Sequence, residues 1–218
     1  MKTVLVTGGV ARLGLAISAR LREEGWRVLT SSHRPDAGAD LVADLSDPMG
    51  AARLYAAACA ALGGNPPDAL VNNAALFTGE ESVLEAVDFE APRKLTTMMA
   101  CRETGVGSVV NVLDCRVLGD GAQDGGAYAA AKRRLLDFTL SSAAMFSGTL
   151  RVNAVAPGPV MPPTQVREMA GETPFGRPTA EAVAEAVLFL LNAERTSGCV
   201  VPVDGGQSLC GHERHSLV

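Results

Sequence analysis

Apolar runs of four to six residues alternate along the chain with longer stretches in which apolar positions recur every three or four residues. The short runs lack strict alternation, which predicts strands covered on both faces, and the longer stretches predict helices. "TVLVT" (Thr3–Thr7) is the first strand, followed by a helix over Leu13–Glu24 that Gly25 closes. "WRVLTS" and the short "DLVADL" (Asp40–Leu45) come next. Asp47 and Pro48 then read as the cap and first residue of an alanine-rich helix ending at Gly63-Gly64. "DALVNNA" (Asp68–Ala74) predicts a strand, and a helix covers much of Ser82–Glu103. "SVVNVL" (Ser108–Leu113), a helix over roughly Ala127–Phe146, and "RVNAVA" (Arg151–Ala156) continue the series. A helix near Thr179–Asn192 and "CVVPV" (Cys199–Val203) complete it. Strand and helix in steady alternation predict an α/β fold, a single doubly wound parallel sheet of about seven strands with helices on both faces. No repeat, low-complexity tract or linker interrupts the pattern, so residues 1–218 read as one domain. The proline-rich "PGPVMPPT" (Pro157–Thr164) reads as a loop over the site.

Composition narrows the function. The 218 residues are 47% apolar and carry a formal charge of −5, enough for one substantial core. No stretch carries a basic run, which argues against a nucleic-acid surface. The five cysteines (Cys59, Cys101, Cys115, Cys199 and Cys210) form no C-x-x-C pair and read as the reduced thiols of a cytoplasmic protein. The N-terminal apolar run is too short for a signal peptide, and nothing reaches membrane-spanning length. His212 and His215 stand three apart without further ligands in reach, so no metal site is expected.

Three stretches carry chemistry. "TGGVARLG" (Thr7–Gly14) lies between a predicted strand and a predicted helix, where amides at a helix N-terminus can face a diphosphate and glycines let the backbone approach it. Gly8 and Leu13 belong to this turn, and Arg12 stands where a further glycine is usual; its guanidinium can reach a phosphate or an anionic substrate edge. The second strand ends in "SSHRPD", with His33 and Arg34 where an NAD-binding fold carries an acidic residue for the ribose hydroxyl. A guanidinium suits a 2′-phosphate, so NADP(H) is preferred over NAD(H), although Asp36 is close by. Finally, "YAAAK" places Tyr128 and Lys132 four apart, on one face of a helix, in a chain with only two tyrosines.

Taken together and in this order, the motifs resemble those of short-chain dehydrogenases/reductases over nearly the whole chain. "TGGVARLG" matches the cofactor turn, and "ADL" (Ala43–Leu45) the adenine contact, through Asp44 and Leu45. "NNAA" (Asn72–Ala75) matches the motif ending the fourth strand, which implicates Asn72 and Ala74 in cofactor binding. "YAAAK" is the Tyr-x-x-x-Lys signature, "VNAVAPGPV" the loop by the nicotinamide through Pro157 and Gly158, and "VPVDGG" the closing strand. The resemblance implies a Rossmann fold, a homodimer or homotetramer, and a small-molecule substrate, with no nucleic acid or membrane. It makes Tyr128 the general acid of a reduction, with Lys132 lowering the phenol's affinity for its proton and holding the nicotinamide ribose.

Counting thirteen residues back from Tyr128, to where most of the family has a serine, lands on Cys115, with Asp114 beside it in "VVNVLDC". An aspartate there, together with Arg12, His33 and Arg34, resembles the pteridine reductase branch, which includes the bacterial dihydromonapterin reductases. Phe77 in "NNAALF" takes the place of the phenylalanine that stacks a pterin. The resemblance thus implies Asp114 as a catalytic and substrate-anchoring carboxylate, with Arg12, Phe77 and Tyr128 as further substrate contacts. Departures from the pattern are also plain. Asp88 in "VDFEAP" stands where the family has an asparagine linked to a proton relay, and Ala75 replaces a serine. The segments around residues 31–44 and 77–90 are short. The leading expectation is an NADPH-dependent reductase of a dihydropterin or related planar heterocycle. A carbonyl reductase of ketones or quinones is the enzyme alternative, and an NADP-binding regulatory protein the non-enzyme one. In the tail "GHERHSLV", His212 or Arg214 could reach a neighbouring subunit's pocket.

Overall fold

The computed structural model describes residues 1–77, 79–103, 105–118, 126–160 and 173–210. Seven strands form one sheet in the order β3-β2-β1-β4-β5-β6-β7. They are β1 (Thr3–Thr7), β2 (Arg27–Ser32), β3 (Leu41–Val42), β4 (Ala69–Asn72), β5 (Gly107–Val112), β6 (Leu150–Pro157) and β7 (Val200–Val203). Every pairing is parallel. The helices are α1 (Arg12–Glu23), α2 (Gly50–Ala61), α3 (Glu81–Glu85), α4 (Ala91–Ala100), α5 (Gly126–Met145) and α6 (Ala180–Asn192). The expected doubly wound sheet is therefore observed.

Alternate residues of one strand feed different cores, as the two-residue strand period requires. Val4 and Val6 pack with Ile17 and Leu21 of α1 and with Val183 and Val187 of α6. Leu5, between them, packs with Leu54 of α2 and with Leu95 and Met99 of α4. Burial on both faces explains why the strands read as continuous apolar runs. Sheet order reverses direction between β1 and β4, and ligands of such sheets bind at that crevice, beyond the carboxyl ends of the strands.

Two local expectations are corrected. The alanine-rich helix starts at Gly50, not at Asp47-Pro48. Asp47 instead closes a turn, accepting the Met49 amide at 2.8 Å and pairing with Arg53 at 2.8 Å. Gly50 follows because a Cβ there would collide with the Asp44 carbonyl. The helix expected across Ser82–Glu103 is broken by a π turn at Ala86–Glu90, between α3 and α4. Pro92 has no amide to give the Asp88 carbonyl, and its ring would crowd that carbonyl in a regular helix. The widened turn resolves the conflict, with the Ala91 amide bonding back to the Ala86 carbonyl. It also leaves Asp88 fully buried.

Candidate active site

The carboxyl ends of the strands surround a cavity of about 950 Å³. Gly8, Arg12, Leu13, His33, Arg34, Asp44, Leu45, Ala74, Pro157 and Gly158 line it, together with Phe77, Asp114, Tyr128 and Lys132. One sequence-expected residue does not. Asn72 sits opposite Asn111 in the sheet, and its buried amide donates to Asn111 Oδ1 at 2.8 Å and to Thr96 Oγ1 at 3.3 Å. Its role is to join β4, β5 and α4 inside the core. Asn73, one residue on, lines the cavity and braces the glycine turn, donating to the carbonyls of Thr7 at 2.9 Å and Gly8 at 3.2 Å. Neighbouring strand residues point to opposite faces, so an Asn-Asn pair places only one of the two here.

The turn after β1 suits a diphosphate. Gly8 has φ +63°, and a Cβ on Gly14 would collide with the Gly8 carbonyl, so α1 can begin against the strand only with glycine there. No side chain caps α1 and its first turn has no acidic residue, which leaves first-turn amides for an anion. Arg12 has φ 51°, the sole described non-glycine residue in the left-handed region, and faces the cavity. Strain of this kind costs about 1–3 kcal/mol and gathers at ligand-binding turns. Past β2, His33 and Arg34 line the cavity, whereas Asp36 lies in the following turn and does not. This donor set fits a dinucleotide carrying a 2′-phosphate.

The other end of the cavity is built on α5. Tyr128, Lys132, Leu135, Thr139 and Ser142 form one buried stripe at helical spacing, as the four-residue separation of Tyr128 and Lys132 predicts. Lys132 Nζ donates to the Val112 carbonyl at 3.1 Å and lies 3.3 Å from Asp88 Oδ1. Both side chains are out of solvent, at 2% and 0% exposure. The Leu76 amide donates to the same carboxylate, at 3.3 Å to Oδ1 and 3.2 Å to Oδ2. Tyr128 Oη lies in hydrogen-bond contact with Asp114 Oδ2, 3.3 Å away. The Phe77 ring, more than half exposed, rests 4.9 Å from the Tyr128 ring, so it forms cavity wall instead of core. Cys115 is buried and directs its thiol 3.4 Å from Gln207 Oε1, so the carboxylate, not the thiol, meets the tyrosine.

Sequence reasoning passed over Arg116. Its side chain grips Asp114, with Nε 3.0 Å from Oδ1 and Nη2 2.9 Å from Oδ2, while its backbone amide donates to Oδ1 at 3.0 Å. The guanidinium also lies 5.4 Å from the Tyr128 ring centroid. An arginine two residues past a strand-end aspartate is a short fork that could have been noticed.

The surroundings of Tyr128 favour its protonated form, and the phenol is held well above the usual tyrosine range. Burial is the largest cause, followed by the negative charges of Asp114 and Asp88, against which Arg116 acts. Asp88 is itself raised by burial, partly offset by Lys132 and the Leu76 amide. Burial likewise pushes the Cys115 thiol up to about 12, with Asp114 and Asp204 adding to it.

A family model described as enoyl-(acyl carrier protein) reductase matches residues 9–208. Levodione reductase of Leifsonia aquatica is 30% identical, over 95% of this chain and 94% of its own. The chain belongs to the short-chain dehydrogenase/reductase family. Short-chain dehydrogenase/reductase cdmF of Talaromyces verruculosus is 29% identical over 94% of this chain and 96% of its own. Both alignments, at 258 and 252 positions, are longer than the 218-residue chain, so this chain lacks segments its relatives have. Among solved structures, FolM alternative dihydrofolate reductase 1 from Brucella suis, in complex with NADP, superposes with a TM-score of 0.81. It is 28% identical and the match covers 95% of each chain. The chain is thus an oxidoreductase of this family. No helix among the described residues is long and apolar enough to cross a membrane. The tail 211–218, with His212 and Arg214, and the loop residues 161–164 lie outside the described residues.

Proposed function

We propose that the chain reduces a dihydropterin or related planar heterocycle with NADPH. The observation that carries this reading is the Asp114–Tyr128 contact beneath the Phe77 ring. Bound NADPH supplies the hydride. Tyr128 holds a proton at Oη for the ring nitrogen that is reduced, and Asp114 accepts N–H donors from the substrate edge. Phe77 stacks the flat ring, and Arg12 meets its polar edge or a phosphate. Gly8, Arg12 and Leu13 hold the diphosphate, His33 and Arg34 the 2′-phosphate, and Asp44 and Leu45 the adenine. Ala74, Pro157 and Gly158 complete the cofactor wall. An ammonium has three N–H donors, and Lys132 spends two on Asp88 and the Val112 carbonyl, leaving one for the nicotinamide ribose. The likeness to a FolM protein solved with NADP supports both the cofactor and the substrate class. In this reading residues 1–218 are one cytoplasmic domain that assembles as a homodimer or homotetramer. A monomer by light scattering at micromolar concentration would overturn the assembly.

The relative named for levodione favours a second reading, a carbonyl reductase in which Asp114 merely fills the family's serine position. NADPH consumption decides between them, with dihydrobiopterin, dihydromonapterin, dihydrofolate, a quinone and an acetoacetyl thioester as substrates. Turnover of a pterin, lost in Tyr128→Phe, is the expected result. Turnover of the quinone or thioester alone would replace it with the second reading. Tight NADPH binding without any turnover would leave a dinucleotide-binding regulator.

A further inference from the structure

The deepest ion pair among the described residues is Asp88–Lys132, and it sits beside the tyrosine that donates the proton. The π turn puts the Asp88 carboxylate there, and the Leu76 amide holds both its oxygens. A carboxylate contributes a full negative charge that a neutral amide of the same shape would not. It therefore cancels at close range the ammonium charge that would otherwise bear on the phenol.

We propose that Asp88 is a positioning residue that neutralises Lys132, so that the ammonium no longer draws the proton off Tyr128. The proposal rests on Tyr128 being the general acid. In reduction the phenol gives its proton to the substrate atom and becomes phenolate. In the reverse direction the phenolate must already be present to take that proton back. The two directions therefore need opposite protonation states of Tyr128.

The charged neighbours all bear on this balance. Asp114 and Arg116, past the end of β5, face the phenol as a pair, with Cys115 buried and protonated beside them. Asp88 faces it from the π turn, and Lys132 from one turn along α5, its Nζ 5.7 Å from the ring centroid. Glu85 of α3 pairs with Arg134 of α5 on the outer, solvent-exposed side of the same contact. Burial and the Asp114 and Asp88 charges all hold the proton on Tyr128.

The test uses the fact that the chain has two tyrosines, Tyr55 and Tyr128. In a Tyr55→Phe background, near-ultraviolet absorbance after a pH jump reports ionisation of Tyr128 alone, without cofactor or substrate. Adding Asp88→Asn is expected to move that ionisation down by roughly one pH unit, a tenfold change. Adding Lys132→Gln to that variant should cancel the shift, because the pair is then removed as a neutral unit. A tyrosine that ionises no lower in Asp88→Asn, or a shift that survives Lys132→Gln, would overturn the proposal. Should Asp88→Asn alone fail to fold, the double variant Asp88→Asn/Lys132→Gln, which strands no charge, still tests it: its Tyr128 should ionise where the parent's does, and a shift of about one pH unit either way overturns the proposal. Failure of the general-acid assignment shows differently, as turnover that survives Tyr128→Phe.

Discussion

Asp88 and Asp114 both bear on the Tyr128 hydroxyl, yet the first is sealed inside the domain with Lys132 and the second shares Arg116 with solvent. Exposure is 0% and 2% for the inner pair, against 17% and 53% for the outer one. Burial makes the inner pair rigid and costly to disturb, since either charge left alone would lack both water and partner. The outer pair has an arginine that can swing into water at little cost. In the proposed function the two carboxylates do distinct work: the inner one sets the charge around the acid, and the outer one trades its arginine for a substrate.

The sharpest way to break this comparison is to remove one inner partner. Asp88→Ala leaves the Lys132 ammonium buried with only the Val112 carbonyl and orphans the Leu76 amide. Chemical denaturation should report a loss of about 3–5 kcal/mol. A loss under about 1 kcal/mol would mean that water already reaches Lys132, and the contrast with the outer pair would collapse.

Next in size is Asp114→Ala, which should act on catalysis and hardly on folding. Hydrogen bonds to a charged group are worth about 1.5–3 kcal/mol, so kcat/KM toward a pterin should fall roughly 10- to 100-fold. Stability should change by no more than about 1 kcal/mol. Unchanged turnover of every accepted substrate would remove Asp114 from the site.

Most of the fold was legible in the sequence, because strands buried on both faces and glycine-closed helices leave local signals. β1 begins and ends where "TVLVT" does, and α6 begins one residue after its Thr179 cap. The π turn was not legible, although its cause, Pro92, was in plain view: sequence shows where a helix is stressed, not how it yields. On the site, local motifs gave the residue types, and the fold decided which neighbour points inward. Asn73 in place of Asn72 is one such outcome, and the Asp114 carboxylate in place of the Cys115 thiol is another. The Asp88–Lys132 pair spans 44 residues of chain, and no local pattern announces a contact at that distance. Arg116 was missed for the opposite reason, its one signal being a two-residue spacing to Asp114.

Arg116 also gives the smallest effect, and the one that separates the two readings of function. Among the described residues, the hydrogen bonds to the Asp114 carboxylate other than the Tyr128 hydroxyl's come from Arg116, through its own backbone amide and its guanidinium. Arg116→Ala keeps the backbone contact and frees acceptor capacity on both oxygens. A heterocycle with an N–H edge no longer has to displace the guanidinium, so its KM should fall a few-fold. A ketone has no such donors and should show no change. Stability should move by about 0–1 kcal/mol, the usual worth of a half-exposed ion pair. Losing the guanidinium also removes a positive charge that favours phenolate, so the proton stays on Tyr128 and reduction keeps its level profile through neutrality. Raising salt should imitate the variant in the parent enzyme, because screening loosens the outer pair and leaves the inner one alone. If KM for ketone and heterocycle moved together, Asp114 would not be reading N–H donors, and the carbonyl reading would gain what the pterin reading lost.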